Sequence, residues 1–366
     1  MVLFAFIYPF MNFSRLNQQL DQPAERHPFR WWHIPLLIVL IAGTVLVYFS
    51  GNRHKGTPTA QYLQCEGFVF GTSYHITYSS SDNLQNSIDS VLASVDQSLS
   101  PFNKTSIITS VNNNQDVTVD SHFSKVFNLA RTVSRETSGA FDITVAPLVN
   151  AWGFGFKNKE TITDTLISEL LTHVGMEKVS LKDSHVIKTD SLTMLDCSAI
   201  AKGYGVDAVG EYLESQGITN YMVEIGGEVR VRGLNSSARK WSIGIVKPVD
   251  DSTCCQTDLQ QILHVTDLSM ATSGNYRNYY EEGNRKYAHT IDPHTGHPVQ
   301  HSILSSTVLA RDCATADAYA TAFMVLGMDE ARKVLSRHPE LSAFFIYSDD
   351  KGNMQEWNTR NMEQYK

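Results

Sequence analysis

The chain has 366 residues, 42% of them hydrophobic, enough to fill one large domain or two ordinary ones. Its 30 Lys/Arg against 38 Asp/Glu give a formal charge of −8, and no Lys/Arg-rich run occurs; together these exclude a nucleic-acid partner held by bulk charge. Five cysteines (Cys65, Cys197, Cys254, Cys255, Cys313) form an odd set with no CxxC, so neither a zinc site nor a disulfide framework is indicated.

The first ten residues are apolar but too short to span a bilayer, and Met11 offers a second start. The run 34–49 contains no charged residue, with Trp31 and Trp32 before it and Tyr48 near its end as interfacial anchors. Arg26 and Arg30 precede it and favour a cytoplasmic N-terminus, although Arg53 and Lys55 follow and weaken that bias. A cleaved signal peptide is the competing reading, but no small-x-small site follows the run. The expected division is a cytoplasmic segment 1–33, a membrane anchor 34–50, a linker 51–64 rich in Gly, Thr, Pro and basic residues, and one body 65–366 on the periplasmic side of the inner membrane.

Within that body the pattern predicts a strand over 68–78 and amphipathic helices over 84–99 and 123–137. A helix over 204–216 is closed by Gly217, and a strand over 221–225 ends at Gly226-Gly227. Further strands fall at 229–233, 241–246, 262–265 and 303–309. Consecutive strands without helices between them predict antiparallel pairing, hence an α+β fold with a mixed or antiparallel sheet. The Ala-rich stretch from Cys313 predicts a helix that Gly327 ends.

On that last helix Asp317 and Thr321 are four apart and share a face. A carboxylate beside a hydroxyl, with carbonyl oxygens near, suits a hard cation such as Mg²⁺ better than Zn²⁺. Spacing alone also fits a Thr321 bonded back to its own helix and a solvated Asp317.

Four blocks stand in order along the chain. The first is Ser100-Pro101-Phe102-Asn103-Lys104-Thr105-Ser106 with Asn112, and the second is Ser138-Gly139-Ala140-Phe141-Asp142-Ile143-Thr144 running on to Trp152-Gly153-Phe154-Gly155. The third is Leu195-Asp196-Cys197-Ser198-Ala199-Ile200-Ala201-Lys202-Gly203 with Glu224-Ile225-Gly226-Gly227-Glu228. The fourth runs from Ala271-Thr272-Ser273-Gly274 through His289-Thr290-Ile291-Asp292-Pro293 to Ala316-Asp317 and Thr321. This set, spanning 67–327, closely resembles the ApbE family, the FAD:protein FMN transferases.

The resemblance implies a body related to the tunnelling fold and an enzyme that splits FAD at its pyrophosphate. FMN is joined through a phosphoester to a Thr or Ser of an acceptor flavoprotein, AMP is released and Mg²⁺ is needed. It implies a metal held by the Ala199 carbonyl, Asp317 and Thr321; a side-chain reading alone would not find Ala199. It implies flavin and adenine contacts from Phe70, Phe102, Ala140, Phe141, Asp142, Asp196, Lys202 and Ile291, and a catalysis-related duty for His289, as a base or in steering the metal. An aromatic at 102 suits stacking on a flat π-system, and Lys202 suits a pyrophosphate oxygen; plain core packing is the alternative for Phe70 and Phe102. Gly226-Gly227 reads most simply as a tight turn, and His294, His297 and His301 read as surface.

The chain departs from the family at Cys197-Ser198, where a Leu-Gly-like pair is common, at Ile107, where an acidic residue is frequent, and at Phe102, where Tyr is commoner. None of these touches the metal triplet. With water as nucleophile the same site would be an FAD pyrophosphatase, and without turnover a membrane-tethered FAD-binding protein. The intact triplet argues against the latter.

Overall fold

Strands that follow one another without helices do pair antiparallel. The computed structural model describes residues 61–157, 159–248, 258–274, 279–282, 285–300 and 302–366, those at 279–288 through their backbone alone. The segments 1–33 and 34–50, the part 51–60 of the linker expected over 51–64, Cys254, Cys255 and His301 lie outside them; Tyr62, Leu63 and Gln64, expected in that linker, belong to the first strand. Among the described residues no helix is long and apolar enough to cross a membrane.

The chain opens with β1 (Tyr62–Val69) and β2 (Thr72–Ser79). Helices α1 (Gln85–Leu99), α2 (Ile107–Asn112), α3 (Ser121–Glu136), α4 (Ala146–Ala151) and α5 (Asp164–Leu171) follow. Then come β3 (Val179–Lys182), β4 (His185–Lys188) and α6 (Ala201–Ser215). The run β5 (Tyr221–Ile225), β6 (Glu228–Arg232), β7 (Trp241–Val246), β8 (Leu259–Val265), β9 (Leu268–Gly274), β10 (Tyr279–Glu282), β11 (Arg285–Ala288) and β12 (Ile303–Ala310) precedes α7 (Cys313–Arg337), β13 (Ser342–Ser348) and β14 (Met354–Asn358). One eight-stranded sheet in the order β1-β2-β5-β6-β9-β12-β13-β14 carries the body, with every neighbouring pair antiparallel.

Alternation along these strands divides two cores. Val229, Val231, Met270, Leu309, Phe344 and Ile346 face the β7–β8 hairpin. Ala271, Val308, Ala343 and Phe345 face the helices and pack with Phe123, Phe127 and Phe323. On the first strands Tyr74, Ile76, Val223 and Ile225 meet Ile88 and Leu92 of α1 and Val206 and Val209 of α6.

Two predicted elements differ in the structure. The strand predicted over 68–78 is the end of β1, a two-residue turn and most of β2. Phe70 (φ +53°) and Gly71 (φ +76°) both take the left-handed region that such a turn requires. A phenylalanine in that conformation gives no turn signal to a sequence reading. Helix α6 begins at Ala201, three residues before the predicted start, so Lys202 and Gly203 belong to its first turn. Gly327 (φ +71°, ψ 178°) does break the helical path of α7, and a second helical stretch continues to Arg337.

The start of α7 is fixed from α6. Asp207 accepts the Cys313 and Ala314 amides at 2.9 and 2.8 Å, while Asp312 caps the same end through the Thr315 amide at 2.8 Å. Arg230 of β6 closes the arrangement with its Nη1 at 2.8 Å from Asp207 Oδ1. Burial nevertheless pushes the Asp207 carboxyl up from its ordinary 3.8 to about 6, against the pull of the two amides and Arg230.

The folded state therefore binds this proton more tightly than the unfolded chain, and the Asp207 contribution weakens as pH rises through that window, by about 3 kcal/mol in full. Urea unfolding of the wild type and Asp207→Asn at pH 4 and pH 7 should show their stability difference moving toward the variant by up to about that amount. A difference independent of pH would refute the assignment.

Candidate functional site

The site is built where the first turns of α6 and α7 cross. Gly203 makes the crossing possible: a Cβ there would lie 2.5 Å from the Cys313 carbonyl oxygen and 2.8 Å from Asp317 Cβ. At this separation the Gly203 amide, one of the unpaired donors of the first turn of α6, donates to Asp317 Oδ2 at 3.0 Å. Asp317 is only 3% exposed, and its Oδ1 accepts no hydrogen bond among the described residues. With the Gly203 amide committed to Asp317, the Ala199 carbonyl four residues back has no helical donor. One turn along α7, Thr321 Oγ1 lies 3.0 Å from Ser273 Oγ at the end of β9. A carboxylate oxygen, a carbonyl and a hydroxyl are therefore offered around one helix junction, a donor set for a hard cation. Among the described residues no three His, Cys, Asp or Glu side chains gather into a metal-binding group.

Lys202 Nζ stands 2.6 Å from Glu228 Oε1. Glu228 begins β6, and the two-residue period places it on the same face as Arg230, toward α6. Burial would lower the Lys202 pKa, but the Glu228 and Asp317 carboxylates outweigh it and hold the ammonium charged. Burial pushes both carboxyls up, opposed by Lys202 in each case. Two buried carboxylates thus lie near one ammonium, which pairs with Glu228 alone, and the cluster is short of positive charge.

Asp142 and Asp196 order two neighbouring turns. Asp142 Oδ1 accepts the Thr144 amide and hydroxyl at 2.7 and 2.6 Å, and Asp196 Oδ1 accepts the Ser198 amide and hydroxyl at 2.8 and 2.5 Å. The turns are joined by the Asp196 amide donating to the Ile143 carbonyl at 2.7 Å. Asn112 then clamps Leu195 through both of its main-chain groups, at 2.8 and 2.7 Å. Burial raises both aspartates, offset by the Thr144 and Ser198 donors.

The remaining candidates separate by burial. Ala140, Phe141 and Ile291 are core side chains, so whatever they give a ligand comes from their main chain. Phe70 lies against Gly205 of α6, packed into the core on one side, and on the other lines a cleft of about 540 Å³ with Phe68, Asp96 and Asn103. Phe102 is 63% exposed and meets Phe156 edge-on at 6.3 Å, so core packing does not explain it. Phe156 belongs to a loop held by Asn150, whose Oδ1 accepts the Phe156 and Lys157 amides at 2.9 and 3.1 Å. His289 is half-buried and contacts Phe154 of that loop edge-on at 6.5 Å. His294 bonds Asp292 and the Ser138 carbonyl, and exposed His297 packs on Trp152. Gly226 and Gly227, both at positive φ, form the β5–β6 turn, as read from the sequence. Cys65, Cys197 and Cys313 are buried and free.

Sequence reasoning missed Glu228, Ser273 and Phe156. Glu228 follows Gly226-Gly227 directly, and the period-2 pattern of its strand was the available signal for its inward direction. Nothing in the sequence links Ser273 to Thr321, 48 residues away.

Residues 70–345 match the model of the ApbE family. The chain is 34% identical over 330 residues to the FAD:protein FMN transferase of Haemophilus influenzae, covering 86% of this chain and 94% of that one. It is 37% identical over 302 residues to the FAD:protein FMN transferase of Vibrio cholerae, covering 80% and 89%. Among solved structures it resembles the flavin transferase ApbE from Vibrio cholerae (TM-score 0.76, 35% identity, 84% of this chain and 100% of that one). It also resembles the flavinyl transferase ApbE of Pseudomonas stutzeri in its apo form (TM-score 0.74, 28% identity, 83% and 96%).

The helix crossing gives a stability test. Gly203→Ala forces a methyl against backbone and Asp317, and should cost about 1–3 kcal/mol in urea unfolding. A variant as stable as the wild type would show that the crossing is not tightly packed.

Proposed function

The chain belongs to the ApbE family, and from that premise we propose that it transfers FMN from FAD to an acceptor flavoprotein, with Asp317 at the centre of the site. The observation that carries this reading is the buried Asp317 carboxylate, one oxygen held by the Gly203 amide and the other open, beside the Lys202–Glu228 pair.

In the proposed reaction a Thr or Ser hydroxyl oxygen of the acceptor attacks the FMN phosphorus of FAD. The P–O bond to the AMP half breaks, AMP leaves, and the hydroxyl proton passes to a base. His289 is proposed for that proton, supported by its place against Phe154 in the aromatic loop. Lys202 supplies a fixed cation for the pyrophosphate oxygens. Phe102 offers an exposed ring for the isoalloxazine or adenine face, and Asp142 and Asp196 hold their own turns rigid through the Thr144 and Ser198 amides.

The donors fit the Mg²⁺ that this chemistry calls for: Asp317 Oδ1, the Thr321 hydroxyl and the Ala199 carbonyl would hold it. Once bound, the ion supplies charge neutralisation at the pyrophosphate. Its two positive charges also answer the excess of buried carboxylate at Asp317 and Glu228. We further propose that the uncharged run 34–49 anchors the chain in the inner membrane, with the body 65–366 on the periplasmic side; Trp31 and Trp32 before the run and Tyr48 near its end support this.

The test is intact-mass spectrometry of an acceptor domain with an exposed Thr site, incubated with the protein, FAD and Mg²⁺. A mass gain of one FMN is expected, abolished by EDTA and restored by added Mg²⁺. Asp317→Ala should lower the rate roughly 10²-fold or more. Full activity in that variant would sink the assignment of Asp317, and AMP with free FMN but no mass gain would mean hydrolysis.

A further inference from the structure

Glu228 is arranged at a cost that its pairing with Lys202 does not by itself explain. Its side chain is 3% exposed, Oε1 takes the Lys202 ammonium at 2.6 Å, and Oε2 is buried without a hydrogen-bond partner among the described residues. A buried carboxylate with an open oxygen is expensive, and an apolar residue of similar volume would avoid the expense. Lys202 has a long flexible stem and a compact charge that follows the nearest anion. A second buried carboxylate, Asp317, is bonded at 3.0 Å to the amide of Gly203, the residue next to Lys202. Left alone, the ammonium would swing to Asp317 and cover the open Oδ1, the oxygen the site offers to a cation.

We infer that Glu228 is a positioning residue for flavin transfer: it holds the Lys202 ammonium off Asp317, so that Asp317 stays open to a cation and Lys202 to a phosphate oxygen. The β5–β6 turn makes this possible. Gly226, whose amide donates to the Ser73 carbonyl at 3.0 Å, and Gly227, whose amide donates to Glu224 Oε1 at 2.6 Å, bring Glu228 in at the first position of β6. Arg230, two residues on, is already taken by Asp207 and Glu214, so it does not compete for Glu228. The inference rests on the transferase reading of the same site.

The test is a double-mutant cycle on the full protein, with Glu228→Ala and Lys202→Met alone and together. It is read both as the rate of FMN transfer and as the equilibrium dissociation constant for FAD in Mg²⁺. Glu228→Ala should lower the transfer rate roughly 10- to 100-fold in the presence of Lys202 and at least several-fold less when Lys202 is replaced. Glu228→Gln, which keeps the shape and an acceptor for the ammonium, should fall between wild type and Glu228→Ala and guards against a merely unfolded variant. A Glu228→Ala variant as active as wild type, or an equal factor in both backgrounds, overturns the inference while leaving the transferase reading intact. Should the wild type bind FAD without transferring FMN, that reading fails; an FAD dissociation constant raised by Glu228→Ala several-fold more with Lys202 present than without it then supports the inference, and an equal factor in both backgrounds overturns it. A wild type that neither binds FAD nor transfers FMN overturns both.

Discussion

The contact on which the site depends is the close crossing of α6 and α7 at Gly203. The absence of a side chain there lets the amide of one helix start reach a carboxylate on the other, and the hydrogen bond from Gly203 to Asp317 is the result. The crossing is held from a second point, where Asp207 of α6 caps the first amides of α7. Two helices that each need partners for their N-terminal donors thus satisfy one another, and the catalytic candidate is positioned by the same bonds that hold the fold. Arg230 carries this restraint into the sheet through Asp207 and Glu214.

Charge follows from that packing. The crossing buries Asp317, the strand β6 buries Glu228, and Lys202 in the first turn of α6 is the cation set between their fields. In a wet surface cluster such an imbalance would cost little. Between two carboxylates this deeply buried it favours whatever brings positive charge, although the Lys202 side chain itself is 31% exposed, and oxygen donors without nitrogen or sulfur favour a hard ion. The neighbouring Asp142 and Asp196 turns commit Asp142 Oδ1 and Asp196 Oδ1 to main-chain and hydroxyl donors of Thr144 and Ser198.

Much of this was legible beforehand. The predicted helices at 84–99 and 123–137 lie within a residue or two of α1 and α3, and the strand at 221–225 is β5, because amphipathic and alternating patterns are local signals. Errors fell where conformation was set by contacts instead. Phe70 takes a left-handed turn conformation while its ring packs on Gly205, and no propensity announces that. The early start of α6 is stabilised by a carboxylate from 114 residues further along the chain. Phe102 shows the opposite case: the sequence left stacking and core packing open, and its exposure removes the second.

The sequence by itself determined the class of the fold, its antiparallel strands and, through four ordered blocks, the family and the residues to watch, because side-chain period and motif spacing are written in chain order. Only the tertiary structure decided which of those residues work together. It turned Gly203 toward Asp317, paired Lys202 with Glu228, left the Ala199 carbonyl without its helical donor and made Ala140, Phe141 and Ile291 core side chains. These are relations between segments far apart in the chain, fixed by how closely two helices and a strand approach, and close approach is a property of packing that no local pattern encodes.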